Sequence, residues 1–286
     1  MQDAYAAALD RLTESSIAHD YDPLRRFSWP AALAPDDWTM PPELLSVYDT
    51  PLMDALDPRT LKALSLWESM NFYSMTLHGE RRLIAEVSGH IHTPGFEAPS
   101  GFFHRFIGEE NDHIWFFSEF CRRYGKIYPD STVSVSGGGR RPELEAFLTF
   151  MRILIFEEIG DTFNVRMSGD ARLPAIVRDL NAAHHDDESR HIAAGRQVAK
   201  RLHAQLDLSP DEEADAAAHL KQHITLTLQS LYNPQMYEDA GIPDFYAFRR
   251  ELLRQPGRRR HHGAFLARSL AFIRSNGICK DGEALF

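Results

Sequence analysis

The sequence predicts an all-α helical bundle. Long runs repeat apolar residues at three- and four-residue spacing, the period of one helix face. Only one short piece, Thr132-Val133-Ser134-Val135, reads as strand. Long helices with almost no strand signal leave helix-on-helix packing as the way to bury a core.

The elements follow in order. Asp3 to His19 reads as an amphipathic helix, and Tyr21 to Pro42, rich in Pro, Trp and Asp, as an irregular arm. Pro51 to Leu56 is a short turn or helix. Asp57-Pro58 starts the next helix, with proline at a tolerated first-turn position. From Leu61 to His92 the pattern is helical and largely apolar, interrupted by Glu68 and Glu80, and Pro94, Gly95 and Pro99 then break it. A second long helix spans Gly101 to Tyr124. The connection from Tyr128 to Pro142 holds the strand-like piece and a triple glycine. A third helix runs from Pro142 to Met167 and a fourth from Leu173 to Leu206. Further helical segments are Asp211 to Tyr232, Asp244 to Arg254 and Gly263 to Ser275. The expected organisation is one domain over 1–286, with a core at about 58–206, an N-terminal arm at 1–57 and C-terminal helices at 211–286.

Composition narrows the function classes. The chain has 286 residues and 43% hydrophobic content, enough for a sizeable core. Its net charge of −10 argues against nucleic-acid binding. The basic cluster Arg258-Arg259-Arg260 is short and local. Cys121 and Cys279 are the two cysteines and form no Cys-x-x-Cys pair, so neither a disulfide framework nor a zinc knuckle is indicated. No signal peptide is visible and no apolar run approaches the ~20 residues of a membrane span. A soluble cytoplasmic protein without membrane or nucleic-acid partners is the expectation.

The chemistry lies in ionisable residues inside the four central helices. His184, Glu188 and His191 fall on one helix face, because steps of three and four residues return to the same side. The second helix carries Glu110 and His113 at Glu-x-x-His spacing, which Glu188 and His191 repeat. The first helix contributes Glu80 between Leu77 and Leu83, and the third has Glu157-Glu158 directly after Leu154-Ile155-Phe156. A buried carboxylate needs a partner or a cation, and one on every helix asks for a common cause. Two Glu-x-x-His pairs with single glutamates from two other helices form the inward-facing ligand set of ferritin-like dinuclear proteins. Mixed nitrogen and oxygen donors without thiolate favour iron or manganese.

On these residues the sequence resembles the ferritin-like non-haem di-iron oxygenases of the p-aminobenzoate N-oxygenase family. In that family a Glu precedes Glu-x-x-His, and a third Glu precedes His-x-x-x-Glu-x-x-His. The resemblance covers roughly Asp20 to Ala199. It implies a metal-ligand set of Glu80, Glu110, His113, Glu157, His184, Glu188 and His191, with His184 as the added ligand. The spacing to His184 favours Glu157 over Glu158. It also implies two iron ions (with manganese as a substitute) and O2 as co-substrate. The activity implied is oxygen transfer to an amine through a peroxo di-iron(III) intermediate. A small-molecule substrate, an external electron donor (reductase, ferredoxin or small reductant) and a homodimer fit that picture. The alternatives are a di-iron hydroxylase or desaturase acting on a C–H bond, and a ferritin-like iron-oxidising protein.

Other features have plainer readings. Glu109 reads as a neighbour or surface acid, and His185 competes with His184. Asp112 and Asp187 sit beside ligands, either in solvent or hydrogen-bonded to a ligand histidine. Gly137-Gly138-Gly139-Arg140-Arg141 lacks a phosphate loop's Lys-Ser/Thr ending and reads as a flexible loop. His90 and His92 read as exposed loop histidines, and Arg258 to His262 as a solvated helix start. Met70, Phe72, Met75, Phe116, Phe117 and Phe120 read mostly as core.

Overall fold

Proline writes most of the helix starts. Its fixed φ suits the first turn, and its missing N–H would have no helical partner there. In the computed structural model, which describes residues 2–130, 139–279 and 285–286, the α-helices are α1 (Gln2–Ala18), α2 (Pro23–Arg26), α3 (Pro51–Asp54), α4 (Pro58–Ser88), α5 (Ser100–Tyr124), α6 (Pro142–Ser168), α7 (Ala175–His203), α8 (Pro210–Ser230), α9 (Pro234–Asp239), α10 (Phe245–Arg254) and α11 (Pro256–Ser275). Side-chain caps reinforce several starts. The Asp57 carboxylate accepts from the N–H groups of Arg59 and Thr60 at α4. Ser209 and Glu212 form a reciprocal capping box at α8. Among the described residues all regular structure is helical. The strand-like Thr132–Val135, together with Gly137 and Gly138, lies outside the described residues. No helix is long and apolar enough to cross a membrane among the described residues.

Helices α4, α5, α6 and α7 form the central bundle. Gly79 sits against Phe156, and seven residues away Phe72 stacks on Phe163 with centroids 4.7 Å apart, so α4 and α6 run antiparallel. Tyr73 on Phe117 and Glu80 near His113 make α4 and α5 antiparallel. Tyr73 to Asn181 and Glu80 to His184 make α4 and α7 parallel. The glycine at 79 is required: a Cβ there would lie 2.1 Å from the Phe156 ring. That close approach brings α4 and α6 together beside Glu80 and Glu157, the next residue on each helix.

The flanking segments pack onto this bundle. The N–H groups of Thr39 and Met40 donate to the Ser65 hydroxyl at 2.7 and 3.0 Å, tying the arm to α4. Met40, Leu44, Leu45 and Val47 are buried in the main core. The arm is thus less irregular than its composition suggests, and it includes α2 and a 3-10 turn at Pro42–Leu44.

Three expectations are corrected here. The segment before Gly263 is helical from Pro256, and Arg258 is buried rather than solvated, donating to the carbonyl of Tyr48. Its neighbour Gly257 leaves no space for a side chain, since a Cβ would meet the Asp49 carbonyl at 2.3 Å. Helix α9, started by an Asn233 cap and Pro234, adds to the helices expected after α8. His90 is half-buried, its ring packing on Phe96 at 4.4 Å, whereas His92 is exposed as expected, with its Nε2 3.3 Å from His104 Nε2.

Candidate metal centre

Glu80, Glu110, Glu157 and Glu188 are each at most 5% exposed, as are His113, His184 and His191. The structure brings all seven to one level of the bundle. Donor atoms of Glu80, His113 and His184 lie within 4.8 Å of one another, as do those of Glu110, Glu157, Glu188 and His191. Two residues reach both groups. Glu110 is 3.4 Å from His113 Nδ1 and 2.9 Å from His191 Nδ1. Glu188 Oε1 is 3.7 Å from His113, 3.0 Å from His184 Nε2 and 3.3 Å from His191.

These close approaches leave hydrogen-bonding capacity unused. Both oxygens of Glu80 and of Glu188, Oε1 of Glu110 and of Glu157, both nitrogens of His184 and Nδ1 of His191 are buried without a hydrogen-bond partner. Such atoms normally lose ~1–3 kcal/mol each unless a bound group satisfies them. Four carboxylates and three neutral imidazoles carry the charge that two divalent cations balance. The donor set therefore fits a dinuclear metal site, and its lack of sulfur fits iron or manganese.

Burial and mutual charge distort the acid–base properties here. Burial pushes the Glu80 carboxyl up to about 7. Burial and the charges of Glu188 and Glu110 raise Glu157 well above the ordinary range. Burial works against ionised Glu188, but the nearby His191 and His184 imidazoles outweigh it and hold Glu188 low. Burial alone would lower His113; hydrogen bonds to Asp187 and Glu110 raise it instead.

A second group of side chains orients the imidazoles. His113 Nε2 lies 3.0 Å from Asp187 Oδ2, and His191 Nε2 lies 2.8 Å from Glu109 Oε2. A carboxylate only accepts, so each Nε2 carries the proton and each Nδ1 lone pair faces the glutamates. Arg190 donates to both Asp187 and Glu109, joining the two pairs. Tyr21 donates to Asp187 at 3.0 Å and Ser16 to Glu109 at 2.5 Å, so the N-terminal segment also reaches this layer. Burial disfavours ionised Asp187, but the His113 hydrogen bond overrides it and draws the pKa down to about 2.

The structure separates the sequence alternatives geometrically. Glu158 points away from the cluster, taking hydrogen bonds from Arg196 and from the Ser269 hydroxyl. His185 Nδ1 pairs with Asp161 at 2.5 Å. Asp187 is the neighbour that contacts a histidine of the cluster, His113; Asp112 is half-buried and raised to about 6, chiefly by desolvation. Glu109 is corrected: it is 6% exposed and holds His191. Its signal in the sequence was its place beside Glu110, four residues before His113, which does not reveal a partner 82 positions away.

Aromatic rings enclose the imidazoles. Phe106 lies 4.6 Å from His191, Phe117 4.9 Å from His184 and Phe116 5.4 Å from His113. A small cavity of about 20 Å³ reaches His191 between Phe102, Phe106 and Phe150. Another of about 20 Å³ lies between Phe72, Phe163, Glu68 and Asn71.

Comparison with known proteins adds to this geometry. The family described as P-aminobenzoate N-oxygenase AurF matches residues 2–277. No curated relative matches the chain. Among solved structures, an R2-like ligand-binding oxidase variant with anaerobically reconstituted Mn/Fe cofactor is similar at 15% identity and TM-score 0.52, over 88% of this chain and 92% of that one. An R2-like ligand-binding oxidase without metal cofactor is similar at 13% identity and TM-score 0.53, over 95% and 96%. The fold is that of a ferritin-like helical bundle.

Proposed function

This chain belongs to the P-aminobenzoate N-oxygenase AurF family, an oxygenase family, and on that premise we propose that it oxygenates the nitrogen of a small amine, an aryl amine being the leading candidate. Glu80, Glu110, His113, Glu157, His184, Glu188 and His191 would hold two metal ions. Iron fits this donor set, and manganese is the natural substitute, given the Mn/Fe cofactor named for the similar oxidase. When bound, the metal pair supplies O2 activation and oxygen transfer. A small-molecule substrate and an external electron source complete the reaction.

The observation that carries this reading is the set of buried, unpartnered donor atoms on four helices. The protein's own residues have three tasks. Asp187 and Glu109 fix the tautomer and orientation of His113 and His191. Arg190 donates to both of those carboxylates and so holds the two pairs together. The Phe106, Phe116 and Phe117 rings exclude water and lower the local dielectric, which strengthens electrostatic interactions.

The reaction is tested by supplying the Fe(II)-loaded chain with O2, a reductant and an aryl amine, then analysing products. Hydroxylamino or further N-oxidised product supports N-oxygenation. Iron mineral accumulating without organic product would instead make the protein an iron oxidase.

A further inference from the structure

The layer of the bundle next to the seven donors contains a second set of unsatisfied groups. Asn164 is 0% exposed, and neither its Oδ1 nor its Nδ2 has a partner. Asn181 is 0% exposed; its Nδ2 donates to Tyr73 Oη at 2.8 Å and to the Val177 carbonyl at 2.7 Å, but its Oδ1 has no partner. Both lie on the faces that carry the metal-centre donors. Asn164 is seven residues after Glu157 on α6, and Asn181 seven before Glu188 on α7. Seven residues return a helix to nearly the same direction and advance it ~10 Å. Because Glu157 meets Glu188 across antiparallel α6 and α7, the same step brings Asn164 and Asn181 to a common level. Tyr73, seven before Glu80, joins them there and stacks on Phe117 at 4.7 Å.

Between the two layers lies Gly160, on the same α6 face as Glu157 and Asn164 at helical spacing. It is buried, yet a Cβ built on it would meet nothing within 4 Å. The other buried glycines with a described environment, Gly79 and Gly257, are tightly filled. Gly160 thus leaves open space on the α6 face between the carboxylates and the unpaired amides. Phe72 and Phe163 stack at the level of the amides and also wall the cavity that extends toward Ser46 and Glu68.

We propose that the α6 face Glu157–Gly160–Asn164 is the substrate slot, with Asn164 and Asn181 anchoring the end of the substrate remote from the reacting amine. This rests on the amine-oxygenase reading above. The unpaired functions are one amide N–H2 and two amide carbonyls, so the anchored group both donates and accepts while remaining uncharged; a carboxamide or hydroxyl fits. The flanking Phe72, Phe117 and Phe163 rings suit a flat, unsaturated body. The ~10 Å rise between the two layers limits the ligand to a single small ring. A carboxylate at the anchor would be desolvated among neutral groups, which is unfavourable without a cation.

The test uses the full chain loaded anaerobically with Fe(II) and titrated calorimetrically with 4-aminobenzamide, 4-aminobenzoate and aniline. The benzamide is expected to bind at least tenfold more tightly than either of the others. Asn164→Leu should remove at least tenfold of that affinity and raise the Tm of the ligand-free chain, because it deletes two unsatisfied buried groups. A purely structural asparagine would lower Tm on the same replacement. Gly160→Val should abolish benzamide binding while iron stoichiometry stays unchanged. Benzamide binding no tighter than aniline, or unchanged affinity in both variants, would overturn the slot. A preference for the benzoate would also overturn it, moving the anchor to Arg178, half-buried one turn along α7 with its Nε unpaired. Tight benzamide binding without N-oxidation on O2 admission would support the slot and refute the reaction instead.

Discussion

Glu157 and Glu158 are adjacent on α6, both buried, and their surroundings are opposite. Glu158 faces the outer helices, where Arg196 and the Ser269 hydroxyl answer its charge. Glu157 faces the carboxylates of Glu110 and Glu188, with Glu80 also acting on it, and its Oε1 has no partner at all. A buried carboxylate needs compensation. On the outer face the protein supplies it from its own side chains; on the inner face it does not. The missing compensation, rather than the presence of acids, is what marks the inner face as a place for metal cations.

The comparison can be broken most directly at the shared donors. Glu188→Ala is expected to abolish O2 activation and to reduce bound iron below two per chain, since Glu188 approaches all three histidines. Full O2 consumption by this variant would show that the donor assignment is wrong. The next effect is in the orienting pairs. Asp187→Ala frees the His113 Nε2–H and should weaken metal binding roughly 10- to 100-fold, measured by competition with a chelator. An unchanged affinity would reduce Asp187 to a packing role.

The outer face should behave as ordinary structure. Glu158→Ala loses the Ser269 hydrogen bond and an ion pair to Arg196, whose side chain is 38% exposed. Screening by solvent keeps the expected destabilisation to about 2 kcal/mol, read by denaturant unfolding, with iron stoichiometry retained. Loss of iron in this variant would erase the distinction between the two faces.

The smallest effect concerns a third buried acid. Glu68 is pushed up to about 7 by burial, against opposing hydrogen bonds from the Ser46 hydroxyl and N–H. Its folded-state pKa lies above the ordinary 4.5, so the folded protein holds the extra proton. Stability from this group is therefore full below about pH 4.5, declines as pH rises toward 7, and levels off above. Glu68→Gln should flatten that part of the Tm–pH curve for the metal-free chain. A slope identical to the unmodified protein would place the pH dependence elsewhere.

Much of the central bundle was legible because its information is local. Helical periodicity and the repeated Glu-x-x-His spacing lie within single helices, and the residues they single out converge in the structure. The orienting contacts were less legible. Glu109 with His191, and Ser16 with Glu109, join residues 82 and 93 positions apart, which only folding brings together. Arg258 misleads for a related reason: its run of arginines reads as solvated, but the burial follows from α11 packing its start against Asp49. Asn164 and Asn181 are ordinary helix residues in sequence. Their significance comes from missing partners, which can be seen only once every neighbour has been placed.

The central claim is that four compensating charges are missing from the inner face because two metal ions supply them. Anaerobic titration of the purified chain with Fe(II), followed by desalting and metal analysis, tests it most directly. The account predicts two iron ions per chain, with Glu158→Ala retaining both. Fewer than one ion per chain in the unmodified protein would contradict it.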